Sequence, residues 1–194
     1  MGRSKEFEER EVLRKAMELF LKQGYEGTSM NDLINHMGIH KKSLYDTFGD
    51  KHSLFMKALD LFGEHMQDTL MSEVLKEGTA KQSIKLLFDR VIEGIWNVEE
   101  HWGCLFVNSS VELSLRDDEV KERAGKAFDQ TEHFLTNLIQ KGQQEGDISC
   151  DTKAEVLAEY LHNTLLGLRV LIRNSTSKEK LHRIADFSLS ILDK

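Results

Sequence analysis

Apolar residues recur along most of the chain with the spacing of amphipathic helices. Near the start, Leu13, Ala16, Met17, Phe20 and Leu21 are separated by one, three or four positions, so they share one face of a helix. This spacing predicts a first helix over residues 5–23. The same pattern predicts later helices at residues 50–76, 79–98, 117–146, 153–173 and 178–193.

Two shorter helices are predicted between residues 28 and 51. Ser29 is followed three positions later by Asp32, an arrangement typical of a capping box at a helix N-terminus. Gly38 suits a tight turn, and a second short helix is predicted over residues 40–47. We therefore expect a helix-turn-helix, whose second helix lies in the major groove of DNA.

The second short helix has one apolar face and one polar face. Leu44 and Phe48 are predicted to face the core, because short helices are held by tertiary packing. The side chains left on the outside belong to His40, Lys41, Lys42, Ser43, Tyr45 and Asp46. These polar groups are the candidates for contact with DNA.

The fold class follows from the full set of elements. No strand pattern interrupts the helical periodicity, and residues 101–114 are predicted as a short helix or two turns. We expect an all-α protein of about nine helices. A three-helix N-terminal helix-turn-helix domain is followed by a larger helical domain.

The charge distribution divides the chain near residue 52. The formal net charge is −7, yet residues 1–52 hold nine basic and nine acidic side chains, and the remainder holds 17 and 24. A DNA-binding surface needs local positive charge and not a basic average. The predicted domains are therefore residues 1–52, which bind DNA, and residues 53–194.

Composition favours a cytoplasmic protein with no membrane partner. The chain has no proline and no apolar run near the roughly 20 residues needed to span a bilayer. Its charged start, MGRSKEFEER, does not resemble a signal peptide. The two cysteines, Cys104 and Cys150, indicate a reducing compartment and not a disulfide framework.

Residues 10–55 resemble the DNA-binding domain of the TetR/AcrR family of transcriptional regulators. The resemblance is carried by FLKQGYEGTSMNDL and GIHKKSLYDTFGDKHSLF. It implies a homodimer that binds a palindromic double-stranded DNA operator. It also implies that residues 53–194 bind a small-molecule effector and form the dimer, and that the effector releases a repressor from DNA.

The resemblance also implies roles for individual residues. Thr28 and Ser29 would meet a phosphate at a helix N-terminus, and Lys51 would meet another. At the second short helix, base edges or phosphates would be contacted by Lys41, Lys42 and Ser43, and the DNA backbone by Tyr45. His40 stands where the family usually has serine, and Lys42 where it usually has a small residue. The operator sequence of a relative can therefore not be assigned to this protein.

The effector pocket is expected among the helices after residue 95. Its candidate lining residues are Trp96, Trp102, Cys104, Phe106, Asn108, Phe128, Phe134, His162, Asn163 and Leu166. Further candidate polar anchors are Glu112 and Arg169. Each aromatic residue alone is explained as well by core packing, but a largely apolar cavity with a few polar groups is what effector binding requires.

The last two helices are the candidate dimer interface. Apolar residues on more than one side of residues 153–173, including Tyr160 and Val170, indicate that a second face is also buried, and a second subunit would bury it. The predicted interface comprises Leu157, Leu161, Leu165, Leu168, Leu181, Ile184 and Ile191.

The same chain leaves two other functional classes open, a thiol-based sensor and an enzyme. Cys104 could act as a thiol-based redox or electrophile sensor if His101 lowered its pKa, although a small buried hydrophobic role explains it as well. An enzyme is not expected, because no nucleophile, base and orienting group occur at usable spacing. The eight histidines show no HExxH spacing, so we expect no metal and no cofactor.

Overall fold

The computed structural model describes residues 2–67, 72–75, 78–94 and 103–193, with side chains from Glu9 onward. Within these ranges the chain forms ten α-helices and no strand, which confirms the all-α prediction. The helices are α1 (Gly2–Gln23), α2 (Met30–Met37), α3 (Lys41–Phe48), α4 (Lys51–His65), α5 (Ser72–Val74), α6 (Ala80–Glu93), α7 (Leu105–Leu113), α8 (Asp118–Glu145), α9 (Ala154–Arg173) and α10 (Lys178–Leu189). A short 3-10 turn, Ser190–Leu192, follows α10.

The N-terminal helices pack around aromatic residues of α1 and α4. The ring of Phe20 meets the ring of Phe55 edge-on with centroids 4.9 Å apart, and Tyr25 packs on Phe55 at 4.8 Å. Leu33 of α2 and Leu44 of α3 are fully buried in the same cluster. Because α2 and α3 have only eight residues each, this packing and not intrinsic propensity holds them.

Helix α4 takes part in both halves of the molecule. Its first turns pack on α1, whereas Phe62 further along meets Phe106 of α7 with ring centroids 5.5 Å apart. A division at residue 52 would therefore fall at the start of a helix that contributes to both cores. The two-domain division remains a prediction.

Two predicted helices differ from the observed elements at their ends. The α-helix over residues 51–65 ends at His65, and α6 ends at Glu93, followed by Gly94 with φ of +93°. That backbone conformation favours glycine and stops the helix, although apolar spacing alone continued it to residue 98. The predicted parts at residues 68–71, 76 and 95–98 lie outside the described residues.

The larger helical domain is built on the antiparallel pair α8 and α9, against which α6, α7 and α10 pack. A close approach occurs at Gly142, where an added Cβ would lie 2.6 Å from Ile148 Cδ1 and 2.9 Å from Ala80 Cβ. For residues 101–114 the sequence left open a short helix or two turns, and the described part, from Gly103, contains a helix, α7. No helix in the described ranges is both long and apolar enough to cross a bilayer.

The predicted dimer interface must be corrected. Five of its residues are at most 5% exposed within a single chain and belong to its own core: Leu157, Leu161, Leu165, Leu168 and Leu181. Ile184 is partly buried against that core, and Ile191 alone is exposed, at 37%. The most regular apolar stripe of an amphipathic helix faces its own core, so these leucines are not available to a partner.

The exposed apolar side chains on the last two helices are different ones. Val156, Tyr160 and Val170 project from α9, and Phe187 of α10 is 78% exposed. Tyr160 and Val170 lie outside the main apolar stripe of α9 and are exposed. Tyr160 and Val170 are therefore better candidates for a dimer interface than the buried leucines.

Candidate functional site

The first helix of the motif begins at the predicted capping box. The backbone N–H of Asp32 donates to Ser29 Oγ at 3.1 Å, and the backbone N–H of Ser29 donates to Asp32 Oδ2 at 3.0 Å. Hydrogen bonds from the Ser29 hydroxyl and backbone lower the pKa of Asp32. Ser29 is exposed at the start of α2, where the resemblance placed a phosphate contact.

Thr28 does not have the surface position expected of a phosphate ligand. Its side chain is fully buried, and its hydroxyl donates to the carbonyl oxygen of Gly24 at 2.6 Å. Its backbone N–H donates to Tyr25. The predicted phosphate role is therefore wrong for this side chain, which instead closes the loop between α1 and α2.

The exposed face of α3 is as the sequence predicted. Gly38 adopts φ of +71° in the turn, and Leu44 and Phe48 are buried. All the predicted outward residues are exposed: His40, Lys41, Lys42, Ser43, Tyr45 and Asp46. The His40 side chain forms no capping hydrogen bond although it precedes the helix, so it can face a ligand.

A further lysine lies at the start of α4. Lys51 Nζ sits 4.2 Å above the centroid of the Tyr25 ring, a cation–π contact that limits its rotamers. Asp50 caps the helix by accepting the Ser53 backbone N–H at 2.7 Å. Hydrogen bonds from Ser53 hold the pKa of Asp50 below its ordinary value. Lys51 is thus positioned at a helix N-terminus, where phosphates bind.

Several polar contacts in the described part of the chain join these N-terminal helices to the larger domain. Glu112 of α7 accepts the backbone N–H of Tyr25 at 3.0 Å and that of Glu26 at 2.7 Å. Arg173 donates to the carbonyl oxygen of Leu21 at 2.7 Å. Glu112 was a candidate effector anchor, and the structure places it instead on the loop after α1.

Another such contact joins His52 at the start of α4 to Asp117, the N-cap of α8, with Nε2 2.8 Å from Oδ2. Burial acts to raise the pKa of Asp117. Hydrogen bonds from the Val120 backbone and from His52 outweigh burial and leave the pKa below its ordinary value. Sequence reasoning missed this pair because 65 positions separate the two residues.

A small cavity lies between α4, α7, α8 and α9. Its volume is about 30 Å³, and it is lined by Gly63, Met66, Gln67, Cys104, Phe106, Ala127, Phe128, Gln130, Thr131 and Arg169. Four sequence candidates therefore meet here: Cys104, Phe106, Phe128 and Arg169. This space holds one or two water molecules.

The other pocket candidates are placed elsewhere. Asn163 is exposed, Asn108 and Leu166 are half-buried away from the cavity lining, and Phe134 lines a separate open groove of about 530 Å³. The predictions for Trp96, His101 and Trp102 lie outside the described residues.

His162 lies next to the cavity, behind Phe128, with ring centroids 6.0 Å apart. Its Nδ1 is 3.5 Å from Glu132 Oε2, and its Nε2 has no hydrogen-bond partner in the described part of the chain. Burial, reinforced by the charge of Arg169, holds the pKa of His162 below its ordinary value, although Glu132 acts in the opposite direction. The imidazole is therefore disposed to stay neutral.

The cysteines and acidic groups form no metal centre in the described ranges, where no cluster of three ligating side chains occurs. Cys104 is 4% exposed at the cavity, and Cys150 is exposed, with its thiol 3.6 Å from the Gln143 carbonyl oxygen. Nothing in this arrangement specifically favours the redox alternative at Cys104.

A capped helix, a glycine turn and a second helix with an exposed basic and polar face define a helix-turn-helix DNA-binding protein. Comparison with known families agrees. Residues 12–58 match the family described as bacterial regulatory proteins, tetR family, and residues 80–187 match the tetracyclin repressor-like C-terminal domain. The chain belongs to the TetR family of transcriptional regulators.

Individual relatives cover nearly the whole chain. An uncharacterized HTH-type transcriptional regulator of Bacillus subtilis, YezE, is 32% identical over 100% of both chains. The HTH-type transcriptional repressor ComR of Escherichia coli is 27% identical over 98% of this chain and 91% of its own. A cysteine mutant of the regulator CifR, solved with 26-bp double-strand operator DNA, has a TM-score of 0.83 and 25% identity, covering 93% of this chain and 94% of that one.

Proposed function

We propose that this protein is a transcriptional repressor that binds a pseudo-palindromic DNA operator as a homodimer and is released by a small molecule. The observation that carries the proposal is the exposed face of α3, held in place by the buried Leu44 and Phe48. The relative named as a repressor, ComR, and the neighbour solved with operator DNA support it.

The α3 face carries groups suited to the major groove. Lys41 and Lys42 can donate to guanine or to phosphate, and His40 and Ser43 can donate or accept at base edges. Ser29 at the start of α2 and Lys51 at the start of α4 flank this face and are suited to phosphates. Contacts with the bases would determine which operator sequence is preferred, and the flanking phosphate contacts would fix the position of α3 in the groove.

The outer face of α9 and α10 supports assembly of two chains. Val156, Tyr160 and Val170 follow one side of α9, and Phe187 adds a large exposed ring on α10. Two copies of these helices would form an isologous four-helix interface. The symmetry of such a dimer would place its two α3 helices on half-sites about 34 Å apart.

Release from DNA would begin at the cavity beside α4. Gly63 of α4 lines this cavity together with Met66 and Gln67, which directly follow the helix, and Lys51 lies at the other end of α4. A ligand that enlarges the cavity would move α4, and through it the separation of the two α3 helices. It would do so only by binding the released conformation more tightly than the DNA-bound one.

Selection from a random pool of duplex DNA by the full-length protein tests this function. The enriched sequences should contain an inverted repeat, and two chains should bind each site. Bound fractions should fall steeply with salt, because phosphates supply much of the affinity. Enrichment of no sequence, or binding of one chain per site, would contradict the proposal.

A further inference from the structure

Arg169 presents a buried positive charge to the cavity. Its side chain is among the cavity-lining groups, and the residue is only 6% exposed. Within the described ranges its guanidinium forms no ion pair and no hydrogen bond. Buried charges in folded proteins are normally paired, and no anion among the described residues pairs with this arginine.

The rest of the lining matches an anion and not a cation. Among the lining residues described, Arg169 is the only charged side chain. Gln67 and Gln130 each carry an amide that can donate. An arginine fork binds a carboxylate through two parallel hydrogen bonds, and neutral donors around it can complete the coordination.

The two carboxylates described near Arg169 and His162 either contact another side chain or are exposed to solvent. Glu132 Oε2 lies 3.5 Å from His162 Nδ1, and Asp129 is exposed at the open groove outside the cavity. Neither lines the cavity itself. Among the described residues, therefore, no carboxylate is positioned to pair with Arg169.

We propose that the effector of this protein is a small carboxylate with an apolar body, and that its carboxylate pairs with Arg169. This inference rests on the proposed function, in which a ligand acts from this cavity. The apolar body is matched by Met66, Phe106 and Phe128, which line the same space. The residues that line the cavity indicate the chemical class of the effector and not a particular compound.

The route for such a ligand lies at Gln67 and Gln130. Both side chains line the cavity of about 30 Å³ and also the open groove of about 530 Å³. Because the cavity holds only one or two water molecules, the body of the ligand must displace these side chains and extend into the groove. Met66 and Gln67 directly follow α4, so entry acts next to the C-terminal end of that helix.

The stability of the ligand-free protein provides the first test. Arg169→Met keeps the apolar stem and removes the charge, so its melting temperature should rise by about 2–6 °C. Arg116→Met, at an exposed position, is the matched control and should melt within about 1 °C of the parent. A lower melting temperature for Arg169→Met would show that the charge already has a structural partner and would overturn the proposal.

Binding provides the second test. Acetate, benzoate and octanoate are each compared with the primary amide of the same acid, by calorimetry on the DNA-free, full-length protein. At least one carboxylate should bind, its amide should not, and Arg169→Met should lower the affinity about 10- to 100-fold. Arg116→Met should bind like the parent.

Arg169→Lys supplies a variant that retains the charge. It should bind the carboxylate more weakly than the parent but more tightly than Arg169→Met, because lysine lacks the planar fork. Absence of binding by every carboxylate, equal binding of the amides, or unchanged affinity in Arg169→Met would each overturn the proposal. These measurements use no DNA, so they can fail while selection of an inverted repeat succeeds.

Discussion

Glu112 Oε2 accepts the backbone N–H of Tyr25 at 3.0 Å, which ties the helix beside the cavity to the loop that begins the DNA-binding motif. The other oxygen accepts the Glu26 N–H. Gly24, with φ of +78°, leaves room for this carboxylate, because a Cβ there would lie 2.9 Å from Glu112 Oε2. The contact therefore depends on a particular residue at each end.

Replacing Glu112 with alanine should weaken this tie. Loss of hydrogen bonds to a charged acceptor should lower the free energy of unfolding by about 1–3 kcal/mol, measured by denaturant titration. Glu112→Gln, which keeps one acceptor oxygen, should lower the free energy of unfolding by less than Glu112→Ala does. Equal stability of Glu112→Ala and the parent protein would show that the contact contributes nothing.

Lys51→Ala should weaken DNA binding without altering sequence preference. Removal of one phosphate contact should reduce the slope of log affinity against log salt by about one unit, measured by fluorescence anisotropy on the selected operator. Lys85→Ala, on α6 and paired with Asp186 at 3.4 Å, is the control and should leave the slope unchanged. An unaltered slope for Lys51→Ala would show that Lys51 does not contact a phosphate.

Lys42→Ala should change the bases that are preferred. Its side chain is exposed in the first turn of α3, and alanine maintains the helix while removing the donor. Loss of a direct base contact should reduce discrimination at one position per half-site by about 1–3 kcal/mol. A selected sequence profile identical to that of the parent would assign Lys42 to phosphate contact or to solvent.

Phe187→Glu should yield monomers. A charge at a position that is 78% exposed in the single chain should be tolerated by the protomer but not by an apolar interface. Light scattering should show half the parent mass at micromolar concentration, with weak operator binding. Val111→Glu is the control, since Val111 on α7 is 84% exposed and lies outside the proposed interface. A Phe187→Glu variant that remains dimeric would refute the proposed interface.

His162 should make stability depend on pH in the mildly acidic range. Its pKa in the folded chain is below its ordinary value of 6.5, chiefly because of burial and further because of the Arg169 charge. The unfolded chain therefore binds more protons there, and stability falls as the pH drops through 6.5. His162→Gln should show a smaller decrease in melting temperature between pH 7 and pH 5.5, and parallel profiles would contradict this assignment.

Local sequence signals predicted the motif well. Ser29 with Asp32 encodes a helix start within four residues, and Gly38 encodes the turn through its backbone freedom, so both were evident without tertiary information. The exposed face of α3 followed because Leu44 and Phe48 occupy the single apolar side of a short helix. Thr28 was the exception, since nothing in its neighbours shows that its hydroxyl turns inward to Gly24.

Relationships between distant residues could not be predicted in this way. Periodicity identified Leu165 as apolar and regular, but it does not distinguish packing within the chain from packing against another chain. Glu112 lies 87 positions from Tyr25, and no local pattern links an acidic residue in one helix with free N–H groups in a remote loop. Arg169 was a candidate anchor, but that no described residue pairs with it emerges only from the packing of the four helices around the cavity.

The position of α4 in both cores limits how this protein can be divided. Phe55 of α4 supports Phe20 and Tyr25, whereas Phe62, two turns later, packs on Phe106. A fragment ending at residue 52 would expose the Phe20 surface to water and would lose the support of α2 and α3. Exchange of DNA specificity between relatives by recombination would therefore have to carry α4 along, and the surface facing Phe106 would have to be compatible with its new host.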